Sequence, residues 1–213
     1  MARIIQVFIL ILIQYIFLTF LVEAREPSSS TPSDNDIQAG MKLLEKPDTN
    51  KISEALSIFE KALSVDPNQE EANMGIVYAR LIEFIASQEK DPKRLQDGLK
   101  HAEAVLKHNP KHEDAYYKKS QILFFMGKPE EGLKNLKDGL NQLPKSETLH
   151  KAMLTYLANM AMMYEETGDN VKARLAWMKL RSETKDPEQK KMATEHIEML
   201  STTGEGGYGA RGF

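Results

Sequence analysis

The stretch Ala55-Leu-Ser-Ile-Phe59-Glu-Lys-Ala62-Leu-Ser-Val-Asp-Pro67 places small, bulky and small residues, then a proline, at offsets 0, 4, 7 and 12. The first three fall on one helical face, because 3.6 residues per turn brings them into line. Proline then ends the helix, since it lacks the N–H and its ring clashes with the preceding turn. The same offsets return as Gly132, Leu136, Gly139 and Pro144, and again as Gly98, Ala102, Val105 and Pro110. A further copy, Ala173, Trp177 and Leu180, lacks the proline. Four copies in one register define an internal repeat. The small positions let a neighbouring helix approach, and the bulky residue between them fills the space that this creates.

Composition agrees with a helical array. Charged residues make up 28% and aromatics 8%, with a formal net charge of −3. Ala, Leu, Lys, Glu and Met are plentiful while Val and Thr are sparse, which favours helices over strands. The charge balance supplies no electrostatic drive toward nucleic acid. The chain contains no cysteine, so disulfides, thiol catalysis and Cys-ligated zinc are excluded.

A second helix is expected upstream of each copy. In the third copy it runs from Glu113 to Met126, with Tyr116, Ser120 and Leu123 spaced four and three apart and Gly127 at its end. Read position by position, Tyr116, Ser120, Leu123, Gly127, Gly132, Leu136, Gly139 and Pro144 resemble the tetratricopeptide repeat (TPR), a 34-residue pair of helices. The fourth copy is similar through Ala161, Tyr164, Gly168, Ala173 and Trp177, and the second keeps Ala72 and Pro110. Spacing is uneven: Pro67 to Pro110 spans 43 residues, Pro110 to Pro144 spans 34, and Gly132 to Ala173 spans 41. The extra residues fit a longer helix over 70–87 and a lengthened start near 143–150. Asp91-Pro92 and Asp186-Pro187 each read as a cap followed by proline in the first turn, with Gln189 where a capping box wants it.

The resemblance implies an all-α, right-handed α-solenoid of about four TPR helix pairs with a C-terminal capping helix. The repeats fall at roughly 37–67, 70–110, 113–144 and 147–183, with the capping helix over 186–200. The first pair has a helix around Ile37–Glu45 and an expanded turn over Lys46–Asn50. Before the array, residues 4–22 are almost entirely apolar, followed by Val22-Glu23-Ala24. Residues 1–24 therefore read either as a signal peptide cleaved after Ala24 or as an uncleaved signal anchor. Both send the remainder across a membrane, into a periplasm, to the outer face of the cytoplasmic membrane, or into the medium. Residues 25–36 read as a flexible polar linker, and the glycine-rich residues 201–213 as a disordered tail.

Motifs for catalysis are missing. No phosphate-cradling glycine loop, Gly-x-Ser-x-Gly elbow or His-Glu-x-x-His occurs. His108 and His112 have a ligand-like spacing, but Pro110 between them breaks the helix that would align them. His101 and His150 stand alone, His196 reads as a surface or half-buried residue, and the pairs Glu130-Glu131 and Glu165-Glu166 read as solvated faces. The expectation is a non-enzyme without cofactor or metal.

The resemblance implies a concave face, built by the first helix of each pair, that binds an extended peptide or a partner helix. Transferred to this chain, it consists of Met74 and Tyr78, then Tyr117, Gln121, Phe124 and Phe125, then Asn159 and Met162. Where TPR carboxylate clamps use lysine, asparagine and arginine, the corresponding positions here include Met74, Tyr117 and Gln121, with Lys118 the only nearby cation. The leading expectation is an exported adaptor that holds a protein partner within an envelope assembly, attached to the membrane through residues 4–22 if these are retained. The alternatives are a membrane-anchored TPR component of c-type cytochrome maturation, suggested by Gly168-Asp169 followed by Ala173, Trp177 and Leu180, and an enzyme or metal-binding protein on the same scaffold. Oligomeric state is not encoded in any of these motifs.

Overall fold

The structure, a computed structural model, describes residues 32–87 and 91–205. The expected targeting segment, most of the linker and the end of the tail lie outside the described residues. Nine helices and no strand occur among those described. They are α1 Pro32–Leu43, α2 Thr49–Val65, α3 Glu70–Ala86, α4 Pro92–His108, α5 Glu113–Phe125, α6 Pro129–Gln142, α7 Glu147–Thr167, α8 Asn170–Glu183 and α9 Pro187–Glu205.

Their starts are set by local chemistry. The first turn of a helix leaves backbone N–H groups without partners, and a side-chain acceptor just upstream satisfies one of them. Asp48 Oδ1 accepts from Lys51 N at 2.9 Å, Ser146 Oγ from Leu149 N at 2.9 Å, and Asp169 Oδ1 from Lys172 N at 3.1 Å. The expected cap Asp91 accepts from Lys93 N at 2.9 Å, and Asp186 accepts from Glu188 N at 2.9 Å. Two helices end on glycines with left-handed backbone, Gly127 at φ 73° and Gly168 at φ 79°. There Lys128 N reaches back to Leu123 O and Asp169 N to Tyr164 O, each at 2.9 Å. These bonds close the last turns as Schellman motifs, which a residue with a Cβ would strain.

The edges of the array differ from the sequence reading in four places. Helix α1 begins at Pro32, inside the expected linker, because proline tolerates a first-turn position and Asp34 complements the helix dipole. Helix α2 begins at Thr49, within the expected turn, because Asp48 caps it. Helix α9 continues past Leu200 to Glu205, where Ser201 Oγ donates to Ile197 O at 2.7 Å and Thr202 Oγ1 to Met199 O at 2.8 Å. The residues read as the start of the tail are thus helical. Finally, Gln189 closes no reciprocal box: its Oε1 accepts from Thr184 Oγ1 at 2.6 Å, and Thr184 Oγ1 accepts from Asp186 N at 3.1 Å. Buried Thr184 relays the cap instead.

The fold divides into two compact units after His101, within α4. In the first unit, α1, α2 and α3 pack around Ile37, Leu44, Ile52, Leu56, Phe59 and Ile76. Phe59 is fully enclosed, and a Cβ placed on Gly40 or Gly75 would lie 2.8 Å and 2.5 Å from its ring. The glycines are therefore the walls of the Phe59 site. Full burial of such a ring stabilises by roughly 1.5–3 kcal/mol.

In the second unit, α5 to α9 pack sequentially around Leu136, Leu149, Leu157, Trp177 and Leu180. Ser120 and Asn135 are its polar hinge. Ser120 Oγ lies 3.0 Å from the carbonyl oxygens of both Tyr116 and Gly132, donating to one at a time. Asn135 Nδ2 donates to Tyr116 O at 2.7 Å and Ser120 Oγ at 2.8 Å. Such satisfied buried groups fix how α5 and α6 register.

Candidate partner-binding face

On α3, in the first unit, the two expected face residues separate. Met74 is only 4% exposed, so it is a core residue and is withdrawn from the face. Its helix has buried residues at six consecutive positions, 72–77, which is more than one apolar stripe and leaves that side no access to solvent. Tyr78 is half-buried and packs against the first unit's core.

In the second unit, α5 brings Tyr117, Gln121 and Phe124 onto one stripe at intervals of four and three. All three are half-buried, as are Phe125 on α5 and Asn159 and Met162 on α7. Phe124 meets Tyr156 of α7 edge-on at 5.5 Å between ring centroids, and Phe125 at 6.4 Å. Tyr117, Phe124 and Met162 thus have one side against the core and part of the other side accessible. Gln121 Oε1 is buried without a hydrogen-bond partner among the described residues. An acceptor in that position costs about 1–3 kcal/mol relative to a satisfied one.

Lys118 has a role that its exposed-looking sequence context concealed. It is 3% exposed, and its ammonium sits 4.9 Å from the centroid of the Tyr117 ring. Burial holds its pKa below the ordinary lysine value, with Asp114 opposing that shift. Tyr156 was also missed. A Cβ on Gly132 would lie 1.8 Å from its hydroxyl oxygen, so the small residue at the first repeat position makes room for an aromatic from the next helix pair. Only the side chain opposite, which no spacing rule identifies, reveals this.

Several of the histidines and carboxylates make structural contacts. His112 caps α5 through Nδ1, which accepts from Ala115 N at 3.1 Å, while His108 is exposed at the end of α4. His101 is not isolated: its Nδ1 lies 2.8 Å from Asn73 Oδ1, and burial lowers its pKa against the pull of Asp97. Beside it, Arg80 Nε donates to Asp97 Oδ2 at 2.7 Å and Nη1 to Glu83 Oε2 at 2.8 Å. Glu165 is no solvated carboxylate either. It accepts from Trp177 Nε1 at 2.6 Å and pairs with His196 Nδ1 at 2.8 Å. Glu130 accepts from the Tyr164 hydroxyl, and that bond leads the causes that lower its pKa. No cluster of three or more His, Cys, Asp or Glu suited to a metal ion occurs among the described residues.

The same fold occurs in solved TPR proteins. The MamA RS-1 ArsTM double mutant is 19% identical with a TM-score of 0.50, over 73% of this chain and 79% of that one. A TPR repeats protein from Bacteroides fragilis is 17% identical with a TM-score of 0.50, over 80% of this chain and 71% of its own. The human IFIT1 dimer with PPP-AAAA is 16% identical with a TM-score of 0.55, over 82% of this chain. The match spans only 40% of the IFIT1 chain. No protein-family model and no curated protein matches the sequence. The chain is an all-α protein with the TPR solenoid fold.

Proposed function

We propose that this protein is a non-enzymatic TPR adaptor whose second unit binds an extended peptide or partner helix across α5 and α7. The observation that carries this reading is the stripe Tyr117, Gln121 and Phe124, which offers partly accessible aromatic surface on one side of α5. Aromatic and methionine surface adapts to varied apolar side chains of a bound chain. In this reading residues 4–22 direct export, and the domain works at the outer face of a membrane or beyond it. No helix among the described residues is long and apolar enough to cross a membrane, and residues 4–22 lie outside them.

The test is peptide selection with the full chain, followed by affinity measurement on the selected sequence. Tyr117→Ala with Gln121→Ala is expected to weaken binding at least tenfold, which corresponds to about 1.4 kcal/mol, in a variant whose circular dichroism shows it folded at the temperature of the assay. Undiminished affinity in the folded double variant would refute the assignment of this face.

A further inference from the structure

Helix α8 is apolar on two opposite sides. Its inner side, Ala173, Ala176, Trp177 and Leu180, is buried. On the outer side Val171, Leu175 and Met178 are 65%, 58% and 44% exposed. At about 100° per residue these three, with Ser182, fall within an arc of about 60° directly opposite the buried side. Only two other large hydrophobics among the described residues are comparably exposed, Val65 and Met199. The outer stripe is thus a concentrated feature rather than the scatter expected of any surface.

Cations flank it on both sides. Arg174 and Arg181 lie along one edge, Lys172 and Lys179 along the other. Lys172 is shared with Glu130 and Asp169 at 3.5 and 3.6 Å, and Lys179 pairs with Glu183. Arg174 and Arg181 make no ion pair among the described residues. The helix has four cations and one acid, in a chain whose net charge is −3. Glu130, Asp169 and Glu183 offset the two lysines, so the positive charge left over lies along the Arg174 and Arg181 edge of the stripe.

From the geometry we infer that the outer face of α8 docks on an anionic lipid bilayer. An apolar ridge edged by Arg and Lys is the form of a helix lying in the interface plane, its aliphatic residues in the acyl boundary and its cations among acidic headgroups. The two arginines without ion pairs match the negative surface of such a bilayer. A second copy meeting this face about a two-fold axis would oppose cation to cation across the apolar strip. This inference concerns a different surface from the α5 and α7 face and does not depend on that reading.

The absence of cysteine allows a direct test. Full-length Leu175→Cys carries a polarity-sensitive fluorophore and is mixed with neutral phosphatidylcholine vesicles or with vesicles containing phosphatidylglycerol. Val65→Cys, also exposed but in the other unit, serves as the reference. The expected result is a blue shift at position 175 on the anionic vesicles only, reversed by high salt, with position 65 unchanged. Replacing Arg174 and Arg181 by Ser should weaken this docking about thirtyfold, from about fivefold per cation. No shift at 175 on anionic vesicles would overturn the proposal. So would equal shifts at both positions, which residues 4–22 alone could produce. A shift that grows with protein concentration without lipid would assign the face to a second copy, and a shift with an acidic peptide but not with vesicles would assign it to a protein. Either would overturn the lipid assignment.

Discussion

Phe59 in the first unit and Trp177 in the second occupy the same repeat offset, are both fully enclosed, and are held by different means. Phe59 has only shape: the ring is close against Gly40 and Gly75, where any side chain would collide with it. Trp177 adds direction. Its Nε1 donates to Glu165, which also holds His196 of the terminal helix. One repeat position thus accepts either a purely steric or a hydrogen-bonded solution. The steric one depends on a glycine from each of the two neighbouring helices, whereas the hydrogen-bonded one couples three helices through a single carboxylate.

The largest test of this contrast removes each ring. Phe59→Ala and Trp177→Ala should each cost about 3–5 kcal/mol, read from urea unfolding. Hydrogen exchange should place the first loss mainly in residues 32–87 and the second in 147–205, because each ring belongs to its own core. Loss spread evenly over both units would break the comparison.

A smaller effect probes the steric site alone. Gly75→Ala should cost about 1–3 kcal/mol, since the new methyl meets Phe59 and the core must shift. Adding Phe59→Leu should recover part of it, giving a coupling that a double-mutant cycle detects. Additive losses would mean that Gly75 serves some purpose other than admitting the ring. In the second unit, Glu165→Ala should cost about 1.5–3 kcal/mol through its charge-assisted bonds and lower protection in α9. Unchanged protection there would remove the directional element.

Histidine 101 gives the smallest effect. Its folded pKa is depressed by burial, so the unfolded chain binds the proton more readily. Its contribution is therefore complete above the ordinary histidine value of about 6.5 and is lost as pH falls below that value toward the folded pKa. Stability curves of wild type and His101→Gln should converge in acid relative to their separation at neutral pH. Parallel curves would show that burial leaves His101 untuned.

The repeat offsets made the helices legible, because a small-bulky-small triplet followed by proline reflects both packing and termination. They also located Phe59, Leu136 and Trp177 inside. Three kinds of feature were hidden from them. Helix ends depend on whether a side chain folds back on the backbone, as Ser201 and Thr202 do, so α9 outran its apolar pattern. Burial of Met74 and Lys118 depends on what encloses α3 and α5, and a helix read by itself has no record of its neighbours. Glu165 looked like one of two solvated acids because its partners, Trp177 and His196, are 12 and 31 residues away.

Trp177 is the chain's single tryptophan, and the His196 ring lies stacked on it at 4.3 Å between centroids. The molecule thereby contains its own optical gauge for the last helix. Were α9 to peel away, the indole would lose its stacked cover and meet water on that side, and its emission would move to longer wavelength. All of the protein's tryptophan signal comes from that one seam, so no label is needed to time the opening of the array's C-terminal end.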